Sequence, residues 1–293
     1  MFRLRTALVA LIILVSLSLL ALQMSPLPAP TPLTQGNGDP KRGAYLARLS
    51  GCVTCHTRAG GEPLSGGDAL NSRFGSFYAP NITSDPNVGI GSWTFQQFAR
   101  AVRQGVSPEG EAYYPAFPYE FYASLTDRDL ADLWAAIQDT PPSDRLSKSH
   151  EVPFPFNLRS GIKLWRTLFE KPSAYVPDSN KSASWNRGRY LVWGPAHCAA
   201  CHVPRNMAGG LPKDEELGGD PAMLDGQSSP PITPQALASR GYDKDTLVQA
   251  LRSGVTPDGD VFGGSMSEVI QGSTRYLLNQ HLEDMATYLL DLE

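Results

Sequence analysis

The sequence predicts an all-α protein, with two tandem helical units behind an N-terminal apolar helix. Three observations carry this. An internal repeat fills most of the chain after residue 38, helix-spaced apolar residues recur at matching places in both copies, and no convincing alternating strand run interrupts them. The repeat sets the expected boundaries: residues 1–24 a membrane anchor or signal segment, 25–38 a flexible tether, 39–142 the first unit, 143–180 a connector, and 181–293 the second unit. A hydrophobic content of 41% supports buried cores, while a formal charge of −4 and the lack of a long basic run argue against nucleic acid as a partner.

Arg3 and Arg5 precede an uncharged apolar run from Ala7 to Leu22, which reads as a signal-peptide core or a short membrane span. The Leu22-Gln23-Met24-Ser25-Pro26 stretch offers no clean small-x-small cleavage site, which favours an uncleaved anchor. Arginines ahead of the run place the N-terminus in the cytoplasm and the remainder outside. Residues 25–38 are rich in Pro, Thr and Gly and read as a tether without fixed structure.

The repeat then runs element by element. Arg42-Gly43-Ala44-Tyr45-Leu46 matches Arg187-Gly188-Arg189-Tyr190-Leu191, and Pro80-Asn81-Ile82-Thr83 matches Pro230-Pro231-Ile232-Thr233. Val102–Gly110 matches Leu251–Gly259 almost position for position. Middle helices are marked by Phe95, Phe98, Ala99 and Val102, and by Leu247, Val248 and Leu251, with Ser92 and Asp243 as N-caps and Gly105 and Gly254 as stops. A ligand loop follows, and each copy closes on an amphipathic helical pattern, Asp127–Gln138 and His281–Leu292. Between the copies, Pro141-Pro142 ends a helix. An aromatic stretch and a helix through Ile162, Trp165 and Leu168 then form a packed connector that sets the angle between the units.

All four cysteines lie in two Cys-x-x-Cys-His motifs, each placed just after the leading helix of its unit. That pattern marks covalent attachment of a c-type haem. Cys52 and Cys55 would form thioethers to one haem, with His56 as the proximal iron ligand, and Cys198, Cys201 and His202 repeat this for a second haem. A redox Cys-x-x-Cys pair is the competing reading, but it does not require His in both copies. No structural disulfide is expected.

The sixth ligand sets the use of the iron. Met266, seven residues after Gly259, is the expected distal ligand of the second haem, against a reading as core filler; Met207, Met223 and Met285 are not favoured. The same count from Gly110 gives Phe117, and no Met lies between Met24 and Met207. His150 is then either the distal ligand of the first haem or a solvated linker residue, with an open site or a Tyr ligand as further alternatives. His197 is expected to face the haem surroundings and His281 to be exposed, neither with a functional role.

The repeat and motifs resemble the di- and tri-haem cytochrome c subunits of membrane-bound bacterial alcohol and gluconate dehydrogenase complexes. The resemblance rests on Ala79-Pro80-Asn81-Ile82-Thr83, Gly89-Ile90-Gly91-Ser92-Trp93, Tyr114-Pro115-Ala116-Phe117-Pro118-Tyr119 and Phe154-Pro155-Phe156-Asn157, and covers nearly the whole chain after residue 38. It implies tandem class I-like cytochrome c domains corresponding to the first two haem domains, with the third absent. Phe117 departs from the family's Met near that position. The resemblance further implies two covalently bound haem c groups and a non-catalytic electron-transfer role. The donor would be a periplasmic dehydrogenase, the acceptor a quinone, a cytochrome or a terminal oxidase. The implied location is the bacterial inner membrane with the haem domains in the periplasm, or a soluble periplasmic protein if the N-terminal segment is cleaved. The alternative is a haem enzyme of peroxidase or small-molecule oxidase type, using an open first haem.

Overall fold

A computed structural model describes residues 27–34, 36–170, 174–212 and 216–292, together with a few positions between 5 and 16. The first copy contains α1 (Pro40–Leu49), α2 (Cys52–His56), strands β1 (Ala69–Ser72) and β2 (Gly75–Tyr78), α3 (Phe95–Gln104), α4 (Tyr119–Tyr122) and α5 (Asp127–Gln138). The connector carries α6 (Arg159–Phe169). The second copy contains α7 (Ala183–Trp193), α8 (Ala199–His202), α9 (Pro234–Ser239), α10 (Lys244–Ser253), α11 (Gly264–Gly272), a 3-10 turn (Thr274–Tyr276) and α12 (Asn279–Leu289).

Local chemistry explains the ends of these helices. Asp39 caps α1 through the Lys41 and Arg42 amides, and Pro40 occupies the first turn, where its missing N–H costs nothing. The α3 cap is Thr94 rather than the expected Ser92, because Thr94 has Gln97 three residues on and the two close a reciprocal capping box. Asp243 caps α10 as expected, and Gly105 and Gly254 end α3 and α10 in the left-handed conformation. The terminal helix of the second copy starts two residues earlier than the pattern suggests, at Asn279.

In both copies the leading helix packs on the terminal helix, α1 on α5 and α7 on α12. Contact is closest at the glycine of the repeated Arg-Gly-x-Tyr-Leu segment. A β-carbon on Gly43 would lie 1.8 Å from the Asp132 carbonyl oxygen, and one on Gly188 would lie 1.9 Å from that of Asp284. Gly43→Ala or Gly188→Ala is therefore expected to force the helix pair apart and cost about 1–3 kcal/mol. A lowered urea midpoint of the holoprotein checks this. One apolar cluster runs through both copies, from Leu46, Leu130 and Leu133 to Leu191, Val192, Leu282 and Met285.

The two copies exchange polar contacts in a reciprocal way. The Tyr45 hydroxyl meets His281 Nδ1 on α12 at 2.6 Å, and the Tyr190 hydroxyl donates to Asp129 on α5. Each tyrosine thus leaves its own unit to bond the first turn of the other unit's terminal helix. Asp129 also receives Arg42, which bridges to Asp132. His281 is therefore not an exposed residue: it is half-buried between Tyr45 and Arg187, whose Nη2 lies 3.2 Å from its Nε2. The connector is packed on both copies. Arg166 donates to the Gly105 and Gln104 carbonyls, Arg159 donates to Ala112, and Trp165 Nε1 donates to Ala208 across to the second copy.

Three expectations are corrected. The fold is mostly helical but not wholly so: β1 and β2 form an antiparallel hairpin with Leu70 opposite Phe77. Its strands show no alternation, since β1 has no buried face, and Ser76 is held from outside by backbone bonds to Glu151. Residues 25–38 are not a free tether throughout, because Pro28, Ala29 and Thr31 carbonyls accept from Arg100, Gln104 and Gln96 on α3. Lastly, no helix among the described residues is long and apolar enough to cross a membrane. A sixteen-residue helix would extend only ~24 Å, short of the ~30 Å hydrocarbon core. Much of the run from Ala7 to Leu22 lies outside the described residues. The N-terminal apolar anchor, and the inner-membrane and periplasmic placement that depended on it, are withdrawn.

Candidate functional site

Both Cys-x-x-Cys-His motifs form short helices that follow the leading helix after a sharp reversal. Gly51, with φ 69°, makes the reversal ahead of Cys52, and the Cys55 amide bonds back to the Gly51 carbonyl at 2.9 Å. In the second copy the same position is His197, which adopts φ 39° ahead of Cys198. The His202 amide bonds back to Cys198 at 2.9 Å. One helical turn thus presents two thiols and an imidazole together in each copy.

The histidines are held alike. His56 Nδ1 lies 2.7 Å from the Pro80 carbonyl oxygen, and His202 Nδ1 lies 2.8 Å from that of Pro230. A carbonyl only accepts, so Nδ1 carries the hydrogen and Nε2 keeps its lone pair. Burial pushes both imidazoles below their ordinary pKa, which keeps them neutral. A neutral imidazole oriented through its other nitrogen is the arrangement that iron ligation uses. The repeated Pro-x-Ile-Thr segment supplies this acceptor, and its isoleucine amides are fixed by matching bonds, Ile82 to Leu64 and Ile232 to Leu217. The repeat itself was readable in the sequence, but this task was not.

No disulfide joins any of the four cysteines. Burial pushes Cys52 and Cys198 up to about 12. Redox-active Cys-x-x-Cys pairs have a lowered thiol pKa, so a dithiol–disulfide centre fits poorly. Among the described residues no group of three or more His, Cys, Asp and Glu side chains is placed to hold a bare metal ion. Two attachment thiols with one oriented imidazole fit a covalently bound haem instead.

The residues expected on the distal side are placed differently from one another. Met266 lies in the first turn of α11 rather than in a loop, partly buried against the apolar cluster. Phe117 packs edgewise against Tyr113, Tyr119 and Tyr122, with ring centroids 5.8–6.2 Å apart. The loops leading to both are built alike: Tyr113 and Phe262 bond back to the Gly105 and Gly254 carbonyls at 2.8 and 2.9 Å. His150 is exposed at its residue level but packs on Phe77 and Tyr114 rather than on Phe117, and its Nδ1 accepts from the Tyr78 amide at 3.2 Å. Of the remaining methionines, Met207 is exposed, Met285 is core, and Met223 lines a cavity of about 150 Å³ beside Ala200 and Arg205.

This construction has clear relatives. The protein named Diheme cytochrome c-type from Cereibacter sphaeroides is 40% identical over 257 residues, covering 86% of this chain and 85% of that protein. The chain belongs to the cytochrome c subunit family of bacterial dehydrogenases. The fructose dehydrogenase cytochrome subunit of Gluconobacter japonicus is 37% identical over 264 residues, 88% of this chain and 54% of that subunit. The gluconate 2-dehydrogenase cytochrome c subunit of Pantoea cypripedii is 35% identical over 261 residues, 86% of this chain and 59% of that subunit. The chain thus spans most of the first relative but little more than half of the other two. No protein-family model matches the chain. As a cytochrome c subunit the protein belongs to electron transfer.

Proposed function

We propose that the chain is a two-haem electron carrier that accepts electrons from a partner dehydrogenase and delivers them to a quinone, a cytochrome or an oxidase. Haem c would be held by Cys52 and Cys55 with His56 in one unit (39–142), and by Cys198 and Cys201 with His202 in the other (181–293). The connector (143–180) joins them. The observation that carries the reading is the duplicated histidine geometry, Nδ1 on the Pro80 carbonyl and on the Pro230 carbonyl. When bound, haem supplies a one-electron couple whose potential the axial ligands tune. The chain's own residues orient the imidazoles and keep them neutral. No substrate pocket is needed for this role.

Met266 is the proposed distal ligand of the second haem. His150 is the proposed distal ligand of the first; the Tyr78 amide donates to its Nδ1, which puts the ring hydrogen on Nε2, so ligation would require the ring to give up that bond. A redox titration followed by spectroscopy tests both. Met266→Ala is expected to lower the potential of one haem and leave the other unchanged, because a Met ligand raises the potential. His150→Ala is expected to alter the other haem alone; an unchanged spectrum and potential remove His150 as a ligand. Rapid peroxide turnover by the isolated protein, with carbon monoxide binding to one ferrous haem, would sink the carrier reading.

A further inference from the structure

The reversal ahead of each Cys-x-x-Cys-His motif is made by different residues in the two copies. Gly51 does it without strain, as glycine adopts a positive φ freely. His197 does it at φ 39°, where residues with a β-carbon are disfavoured. Strain of this kind persists only where the surroundings hold it, and it gathers at functional positions.

The surroundings of His197 are the other copy's motif. A β-carbon built on Gly51 would lie 3.3 Å from His197 Nε2, so the imidazole covers the glycine that occupies its own equivalent position. The Tyr122 hydroxyl donates to the Ser50 carbonyl beside that glycine. Tyr122 and Phe121 pack on the imidazole, with centroids 5.7 and 6.4 Å away. The contact is reinforced on either side. Thr54, inside the first motif, meets Gly272 of α11, and Arg205, just past the second motif, pairs with Glu120 of α4 at 3.1 Å. The two attachment segments therefore face each other, and His197 is the side chain wedged between their N-terminal ends.

We propose that His197 is a positioning residue for electron exchange between the two haems: through Gly51 and Tyr122 it locks the backbone ahead of Cys198 onto the backbone ahead of Cys52. This rests on the two-haem reading above. One electron is exchanged, so one iron goes from ferrous to ferric and the other from ferric to ferrous, with no bond made or broken. The axial ligands set the driving force of such a step, and the packing of the two units sets the separation and orientation on which its rate also depends.

His197→Gly separates this role from a merely structural one. It relieves the backbone, as Gly51 shows at the equivalent position, while removing the imidazole. The holoprotein is assayed for covalent haem per chain, for intramolecular electron equilibration after flash photoreduction, and for magnetic dipolar coupling between the two ferric haems. Two haems per chain, equilibration slowed roughly tenfold or more and a weakened dipolar coupling are expected for His197→Gly. Tyr122→Phe, which keeps the imidazole and removes one bond to Ser50, is expected to slow equilibration less. Wild-type equilibration and coupling in His197→Gly with both haems attached would overturn the assignment. A wild-type chain carrying fewer than two haems would overturn the two-haem reading, and this assignment with it.

Discussion

Replacing Cys198 and Cys201 together by serine is expected to halve the covalent haem carried by the chain, measured as pyridine haemochrome per protein. The Cys52 and Cys55 pair replaced in the same way should give the same loss, and the fourfold variant should carry no covalent haem. The reasoning is local. Each short helix presents two thiols and one oriented imidazole, and the His56–Pro80 and His202–Pro230 contacts are independent of one another. Losing one set of thioethers therefore leaves the other copy's attachment chemistry complete. A dithiol redox centre would give a different result, since no haem absorbance would depend on these residues. Retention of full covalent haem in either double variant would refute the attachment sites.

Asp129→Ala is expected to cost about 2–3 kcal/mol, the upper range for losing hydrogen bonds to a buried charged group, since Arg42 is partly exposed and keeps Asp132. Asp129 is 1% exposed and is bonded by Arg42, Tyr190 and Thr126 at once. Its loss would take one of two carboxylate partners from the Arg42 guanidinium, which keeps Asp132, and the acceptor from the Tyr190 hydroxyl in the second copy. Tyr190→Phe, which removes only the bond between copies, should cost about 1–2 kcal/mol. Urea unfolding of the holoprotein measures both.

The carboxylate also gives a pH dependence. Burial alone would raise the Asp129 pKa, but bonds from Tyr190, Thr126 and Arg42 hold it below the ordinary value of 3.8. A depressed folded-state pKa contributes stability that is present above the unfolded value and lost as the pH falls through the folded one. The stability gap between wild type and Asp129→Asn should therefore be full near neutrality and shrink below pH ~4. A gap that stayed constant into acid would exclude this ionisation as its source.

Several parts of this protein are legible in sequence because they depend on neighbours along the chain. The Cys-x-x-Cys-His spacing is a matter of one helical turn. The glycine stops at Gly105 and Gly254 follow from the left-handed conformation each helix end adopts. The Asp127–Gln138 helix agrees with its pattern to the residue. Other parts were misread for identifiable reasons. The hairpin at 69–78 has too little buried surface to alternate. His281 looked exposed because its partners, Tyr45 and Arg187, are distant in sequence. The apolar run at the N-terminus was read as a span from its composition, whereas no helix among the described residues is long and apolar enough to cross a membrane.

By itself, then, the sequence determined which local group is repeated and how often. Two thiols and an imidazole recur in a fixed local arrangement, and a repeat surrounds each copy. Only the tertiary structure decided how the copies meet. The Pro80 and Pro230 carbonyls that orient the histidines lie 24 and 28 residues along the chain. The reciprocal tyrosine bonds between units, and the placement of His197 over Gly51, join segments more than 60 residues apart. Contacts of that range depend on how the copies pack, which no local pattern of residues encodes.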